Sequence, residues 1–166
     1  MKKRLFLALP AIIDDYESIQ NDFSDVISGR WTPPENLHLT LSFYGNQFDQ
    51  DELVQQLSTL KFDVTPSIIS GLGYFKRNRI LYANVENPAL ASVYKTLNTL
   101  FDLPVTREFI PHMTLMRIKK IVDEDTFYDQ LDIYKDREIG SLGSSLELMQ
   151  SELHSDGAKY SLIKRF

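Results

Sequence analysis

Two short stretches of this chain carry the side chains of acid–base chemistry at matching spacing: Asn36-Leu37-His38-Leu39-Thr40-Leu41 and Pro111-His112-Met113-Thr114-Leu115. Each is a His-x-Thr-Leu inside an apolar run. In an extended strand successive side chains point to opposite faces, so His38 and Thr40 share one face while Leu37, Leu39, Leu41 and Phe43 share the other. In the second copy His112 and Thr114 project together, with Met113 and Leu115 turned into a core. A single His-x-Thr in a strand is an ordinary polar pair, and chance can supply one. Two copies use two of the three histidines in the chain and place an imidazole beside a hydroxyl, away from the leucines, twice. Without cysteine or a nucleophile-elbow serine, the machinery on offer is a general base, a general acid and hydrogen-bond donors. That set fits in-line attack at phosphorus. A neutral imidazole takes a proton from the attacking hydroxyl or water, an imidazolium gives one to the leaving oxygen, and Thr40 and Thr114 donate to the non-bridging oxygens.

The elements that must position these groups are legible from periodicity. Leu5 to Leu9 alternates as a half-buried first strand, which Pro10 is expected to stop. Asp14-Asp15 suits a helix N-terminus, and Tyr16, Ile19, Phe23, Val26 and Ile27 recur at helical spacing up to Gly29. Trp31-Thr32-Pro33-Pro34-Glu35-Asn36 reads as a rigid turn into the His38 strand, which ends at Gly45. Asp49 to Glu52 has capping-box form ahead of a helix with Leu53, Leu57 and Leu60. A strand is expected over residues 62–70, then Gly71 to Phe75 and the basic turn Lys76-Arg77-Asn78-Arg79. The order then restarts. Ile80 to Val85 is a strand, Asn87-Pro88 starts a helix through Phe101, the His112 strand comes next, and Asp123-Glu124-Asp125 opens a helix with Phe127 and Leu131. Glu138 onward returns to strand, and Leu146–Leu153 and Tyr160–Phe166 are closing strands joined at Asp156-Gly157. Sliding the second half back by about 74 positions superposes histidine on histidine, the mark of an internal duplication. The expected fold is α+β over residues 1–166 as one bilobal domain: two antiparallel-type sheets facing a central cleft, each with its helices on the outer face.

Composition narrows the function classes. The chain has 166 residues, 43% of them hydrophobic, enough for a real core. It contains no apolar run of roughly 18 residues for a membrane span, and its first apolar segment is too short for a signal peptide. A cytoplasmic monomer that touches no membrane is the default expectation. The absence of cysteine removes disulfides and thiolate chemistry. A formal charge of −5 argues against coating nucleic acid by bulk electrostatics, although a local basic cleft for a short phosphate ligand is compatible with it. Lesser candidates have plain structural explanations beside the functional ones. Phe6 lies on the non-leucine face of its strand and offers a base a stacking surface, or is core. Lys76, Arg77 and Arg79 could steer an RNA end, or simply keep a turn soluble. His154 reads as an exposed turn residue. Gly71-x-Gly73 lacks the third glycine of a dinucleotide loop, and the Asp123 to Asp125 run is a helix start rather than a metal cluster. No metal or other cofactor is expected.

These motifs resemble the two-histidine phosphoesterase superfamily, and within it the RNA 2',3'-cyclic phosphodiesterases historically named 2'-5' RNA ligases. The likeness rests on Arg4-Leu5-Phe6-Leu7-Ala8, on Trp31 with Pro33-Pro34-Glu35-Asn36-Leu37-His38-Leu39-Thr40-Leu41, on Phe109-x-Pro111-His112-Met113-Thr114-Leu115-x-Arg117, and on Ser151-x-Leu153 with Gly157-Ala158-x-Tyr160. It implies that His38 is the proton donor, His112 the acceptor, and that Thr40, Thr114 and Arg117 bind the phosphate of an RNA or nucleotide 2',3'-cyclic end, giving a 2'-phosphate, with reverse 2'-5' joining as the back reaction. Strict alternation from His112 puts Arg117 on the wrong face. It reaches the phosphate only if the strand twists or bulges after Leu115; otherwise it is a solvated strand-end arginine. Two other readings stay open: a phosphodiesterase for another small cyclic phosphate, and an RNA-end binding module without turnover.

Overall fold

The computed structural model describes residues 3–105 and 108–166; Met1, Lys2, Thr106 and Arg107 lie outside it. The chain order is β1 (Arg4–Ile13), α1 (Tyr16–Phe23), β2 (Ile27–Trp31), a 3-10 turn (Pro34–Asn36), β3 (His38–Gly45), α2 (Gln50–Ser58), β4 (Ser67–Phe75), β5 (Ile80–Val85), α3 (Pro88–Leu100), β6 (His112–Ile121), α4 (Glu124–Ile133), β7 (Glu138–Leu142), β8 (Glu147–His154) and β9 (Gly157–Arg165). The α+β class expected from the sequence is the one observed. The helix starts carry the capping side chains that the sequence announces: Asp49 accepts from the N–H groups of Asp51 and Glu52, Asn87 from Ala89, and Asp123 from Thr126. Each satisfies donors that a helix N-terminus leaves free.

The expected pair of sheets is joined into one. The strands run β2-β6-β5-β4-β7-β1-β8-β9, and β3 pairs with both β1 and β6. Following β1, β7, β4, β5, β6 and β3 returns to β1, so the two histidine strands lie inside a closed circuit of antiparallel pairs. The helices also differ from expectation, because the first helix of each sequence half lies over the other half's histidine strand. Tyr16 of α1 hydrogen-bonds the Leu115 carbonyl of β6 at 3.3 Å, and Asn98 of α3 reaches the Leu41 carbonyl of β3 at 3.5 Å. Phe23 of α1 packs on Phe127 and Tyr134 at the α4 end, where the Tyr134 hydroxyl donates to Asp22. Burial of Leu7, Leu9, Leu39, Leu81, Leu97 and Met113, all 0% exposed, stabilises the two sides of the sheet by about 1.5–3 kcal/mol per side chain.

Three element assignments change, each for a local reason. β1 does not stop at Pro10 but continues to Ile13. Pro10 sits where β1 leaves β8 for β7, between Ala8↔Glu147 and Ala11↔Leu142, so its missing N–H is not needed, while its carbonyl accepts from Gly143 at 2.8 Å. Val26 and Ile27 do not extend α1. Ile27 opens β2, which the sequence hides because Ser28, Gly29 and Arg30 are exposed; Gly29 is required because a Cβ there would lie 2.2 Å from the Arg117 carbonyl oxygen of β6. Residues 62–66 are not strand, and β4 begins only after Pro66 and runs through Gly71 and Gly73 to Phe75.

Candidate active site

The single residue pair that joins β3 to β6 is Leu39↔Met113. In an antiparallel register this sets His38 across from Thr114 and Thr40 across from His112, and the two histidines become diagonal neighbours with backbones about 7–8 Å apart. Their rings are held in the same way. His38 Nδ1 lies 2.6 Å from the Asn36 carbonyl oxygen, and His112 Nδ1 lies 2.7 Å from that of Ile110. A carbonyl only accepts, so each Nδ1 carries the hydrogen and each Nε2 is the atom free to take or give a proton. Aromatic rings brace both. Phe6 and Tyr160 have centroids 5.0 and 5.3 Å from that of His38, and Phe75 and Tyr82 have theirs 4.9 and 5.8 Å from that of His112. Burial pushes the His38 imidazole below its ordinary value; the Asn36 carbonyl opposes this, and the nearby His112 adds to it.

Beyond the two threonines, the facing of each strand depends on a shared irregularity. Opposite β6, Leu81 pairs with Met116 and Tyr82 with Thr114, leaving Leu115 as an extra residue; opposite β3, Leu7 pairs with Ser42 and Ala8 with Thr40, leaving Leu41 extra. Each extra residue is a β-bulge that shifts the alternation by one. Met116 is therefore buried at 2% exposure, and Arg117 turns to the side of Thr114; both Thr114 and Arg117 line the cleft. The same shift overturns the placement of Phe43 with the leucines. It is 52% exposed and lines the cleft next to Thr40. The bulge at Leu115 is fastened by the proline-rich turn. The Leu115 carbonyl accepts from the Thr32 N–H at 2.7 Å and from the Tyr16 hydroxyl, and the Thr114 carbonyl accepts from Thr32 Oγ1 at 2.9 Å. Burial raises Tyr16 to about 12, so it stays a donor.

The resulting cleft has a volume of about 700 Å³ and takes in His38, Thr40, Thr114 and Arg117 together with Arg4 and Arg30. Among the described residues, three arginines and one acidic side chain, Asp156, line it. A chain of net negative charge thus keeps a cationic, anion-attracting interior. His112 stands on the strand face of Thr114 but is not among the cleft-lining residues. Phe6 is only 3% exposed, its ring taken up by His38 and Tyr160, which leaves little face for a base. Lys76, Arg77, Arg79 and His154 are not among the cleft-lining residues; His154 ends β8, 3.6 Å from Glu152. The residue pattern alone does not single out Arg30, Phe43 and Ser151 as site residues, because their facing depends on bulges and on the unrecognised strand β2.

The profile of a family described as LigT like phosphoesterase matches residues 8–82. A relative from Aquifex aeolicus named RNA 2',3'-cyclic phosphodiesterase is 30% identical over 97% of this chain and 93% of its own length. The chain belongs to the LigT-like phosphoesterase family. A second relative of the same name, from Methanocaldococcus jannaschii, is 27% identical over 98% of this chain and 99% of its own. E. coli LigT, crystallised with 3'-AMP, shares the fold with a TM-score of 0.76 at 21% identity, over 100% of this chain and 98% of that one. In this LigT-like chain His38, Thr40 and Thr114 line the cleft, while His112 is not among its lining residues. No helix is long and apolar enough to cross a membrane among the described residues.

Proposed function

We propose that this LigT-like phosphoesterase opens 2',3'-cyclic phosphates at RNA or nucleotide ends by acid–base catalysis between His38 and His112. The observation that carries the reading is the matched tethering of the two Nδ1 atoms to backbone carbonyls, which leaves two Nε2 atoms free on adjacent strands. His112 takes a proton from water as its oxygen attacks phosphorus. His38 gives its proton to the 3'-oxygen as the P–O3' bond breaks, leaving a 2'-phosphate and a free 3'-hydroxyl. Thr40, Thr114 and Arg117 hold the non-bridging oxygens, whose charge builds up during attack. The names of the Aquifex and Methanocaldococcus relatives support this substrate class. Among the described residues no group of three or more His, Cys, Asp or Glu side chains is placed to hold a metal ion. With a 5'-hydroxyl in place of water as the attacking group, the same step on the cyclic phosphate gives a 2'-5' phosphodiester and frees the 3'-hydroxyl.

One feature favours a second assignment of roles. The lowered affinity of His38 for protons suits a base in the free protein, and His38 serves as the acid only once an anionic phosphate raises it. The bond that breaks decides between the two. Incubation of a dinucleotide with a 2',3'-cyclic end, in excess chelator, followed by phosphorus NMR, is expected to give the 2'-phosphate. A 3'-phosphate would exchange the roles of the histidines. Loss of turnover in chelator, restored by added metal, would refute the imidazole mechanism. An intact cyclic end that nevertheless binds would leave an RNA-end binding module.

A further inference from the structure

The acid–base reading leaves one wall of the cleft unused. Arg4 of β1 and Ser151 of β8 face each other as a cross-strand pair, and both line the cleft. Arg4 Nε and Ser151 Oγ are both buried without a hydrogen-bond partner, and Ser151 is only 3% exposed. Buried polar atoms are almost always partnered, because an unmade bond costs the full desolvation of the group. Two such atoms side by side in a cleft wall mark a place prepared for a ligand's polar edge. Beside them stands the exposed ring of Phe43, its centroid 5.9 Å from the Arg4 guanidinium carbon.

We propose that Arg4, Phe43 and Ser151 form a nucleobase subsite, in which the base of the bound nucleotide stacks on Phe43 and turns its acceptor edge to Arg4 Nε and Ser151 Oγ. The inference rests on the cleft being a cyclic-phosphate site. Phe43 is the next cleft-facing residue of β3 after Thr40, about 7–10 Å along the strand, a step that a ribose bridges between phosphate and base. An aromatic ring accepts any base by its π-face. A phosphate could use the same donors, but it would gain nothing from the exposed ring, so the base is the better occupant. Selectivity then comes from the arginine. The side of the guanidinium that carries Nε presents a two-donor fork, which matches two adjacent acceptors, and guanine O6 and N7 are such a pair. Adenine offers N7 alone on that edge.

The test is kcat/KM on the four nucleoside 2',3'-cyclic phosphates and on ribose 2',3'-cyclic phosphate, which lacks a base, for the wild-type protein and for Arg4→Ala, Arg4→Lys, Ser151→Ala and Phe43→Ala, with thermal unfolding of each. The wild type should favour guanosine over uridine by roughly 10-fold. Arg4→Ala should bring that ratio close to one, and Arg4→Lys should do the same while retaining the charge, so it carries the test if the alanine variant is unstable. Phe43→Ala should raise KM for all four nucleotides by roughly 10-fold, with a much smaller effect on the ribose substrate. Failure of the wild type to turn over any of the five substrates would overturn the cyclic-phosphate reading itself. Turnover without base preference, or an Arg4→Ala loss as large on the ribose substrate as on guanosine, would overturn the base subsite and move Arg4 to a phosphate.

Discussion

The bulge at Leu115 makes Met116 and Arg117 exchange the places that regular alternation would give them, and a pair of substitutions tests this directly. Arg117→Ala removes a guanidinium from the cleft. A hydrogen bond to a charged group contributes about 1.5–3 kcal/mol, so KM for a cyclic phosphate should rise roughly 10- to 150-fold, and the melting temperature should barely move because Arg117 is exposed. Met116→Ala should do the opposite. Met116 is 2% exposed, and truncating such a side chain costs about 2–5 kcal/mol. At roughly 2–4 °C per kcal/mol for a chain of this size, melting should fall by about 4–20 °C while KM stays nearly constant in the folded protein. Differential scanning fluorimetry and initial rates on one cyclic nucleotide read both quantities. A destabilised Arg117→Ala with wild-type KM, or a stable Met116→Ala with impaired binding, would show that β6 alternates regularly and carries no bulge.

Two further predictions concern the imidazoles. His38→Ala and His112→Ala should each lower kcat by at least ~10²–10⁴ with a cooperative unfolding transition retained; near wild-type turnover by either would remove the two-histidine mechanism, and loss of the folded state would assign that histidine a structural role. The pH dependence of stability should carry the mark of His38. Its folded value lies below its ordinary 6.5, so the unfolded chain binds more protons between the two values; this contribution is complete above 6.5 and is lost as pH falls through the folded value. Denaturant titrations from pH 8 to 5 should show the decline, and His38→Gln should flatten it. In the same window inorganic phosphate should bind more tightly as pH falls, with proton uptake visible by calorimetry in buffers of different ionisation enthalpy. Proton release on binding would contradict a His38 that is neutral before the anion arrives.

The two histidine strands, the helix starts and the closing hairpin can be read from the chain because they depend on signals within a few residues: alternation, an Asp or Asn cap, an Asp-Gly turn. The features that cannot be read depend on partners far along the chain. Nothing near Leu41 or Leu115 announces an extra residue; it appears only where β1 and β5 supply the opposing register. Regular alternation therefore makes Arg117 conditional on a bulge and puts Phe43 in the core. The strand β2 is hidden for a related reason, since Gly29 and Arg30 look like a helix end until β6 is laid against them. Pro10 looks like a stop when its missing N–H is judged without the change of neighbours that makes it harmless. The family resemblance places Ser151 and Tyr160 near the function without a physical role; the cleft gives each one a neighbour, Arg4 for the first and His38 for the second.

The central place of β1 also bears on how this chain reaches its structure during synthesis. The strand made first, Arg4–Ile13, has its hydrogen-bonding partners in β7 and β8, the latter beginning at Glu147. At ~5–20 residues per second, roughly 7–30 s pass between the two leaving the ribosome. Through that interval β3 can cover one edge of β1, and the other edge waits with its N–H and C=O groups and its leucines uncommitted. Such long-range closure places the chain among slow folders, and a nascent chain stalled before residue 147 presents the strand to any holdase, or to another copy of itself, as an open template.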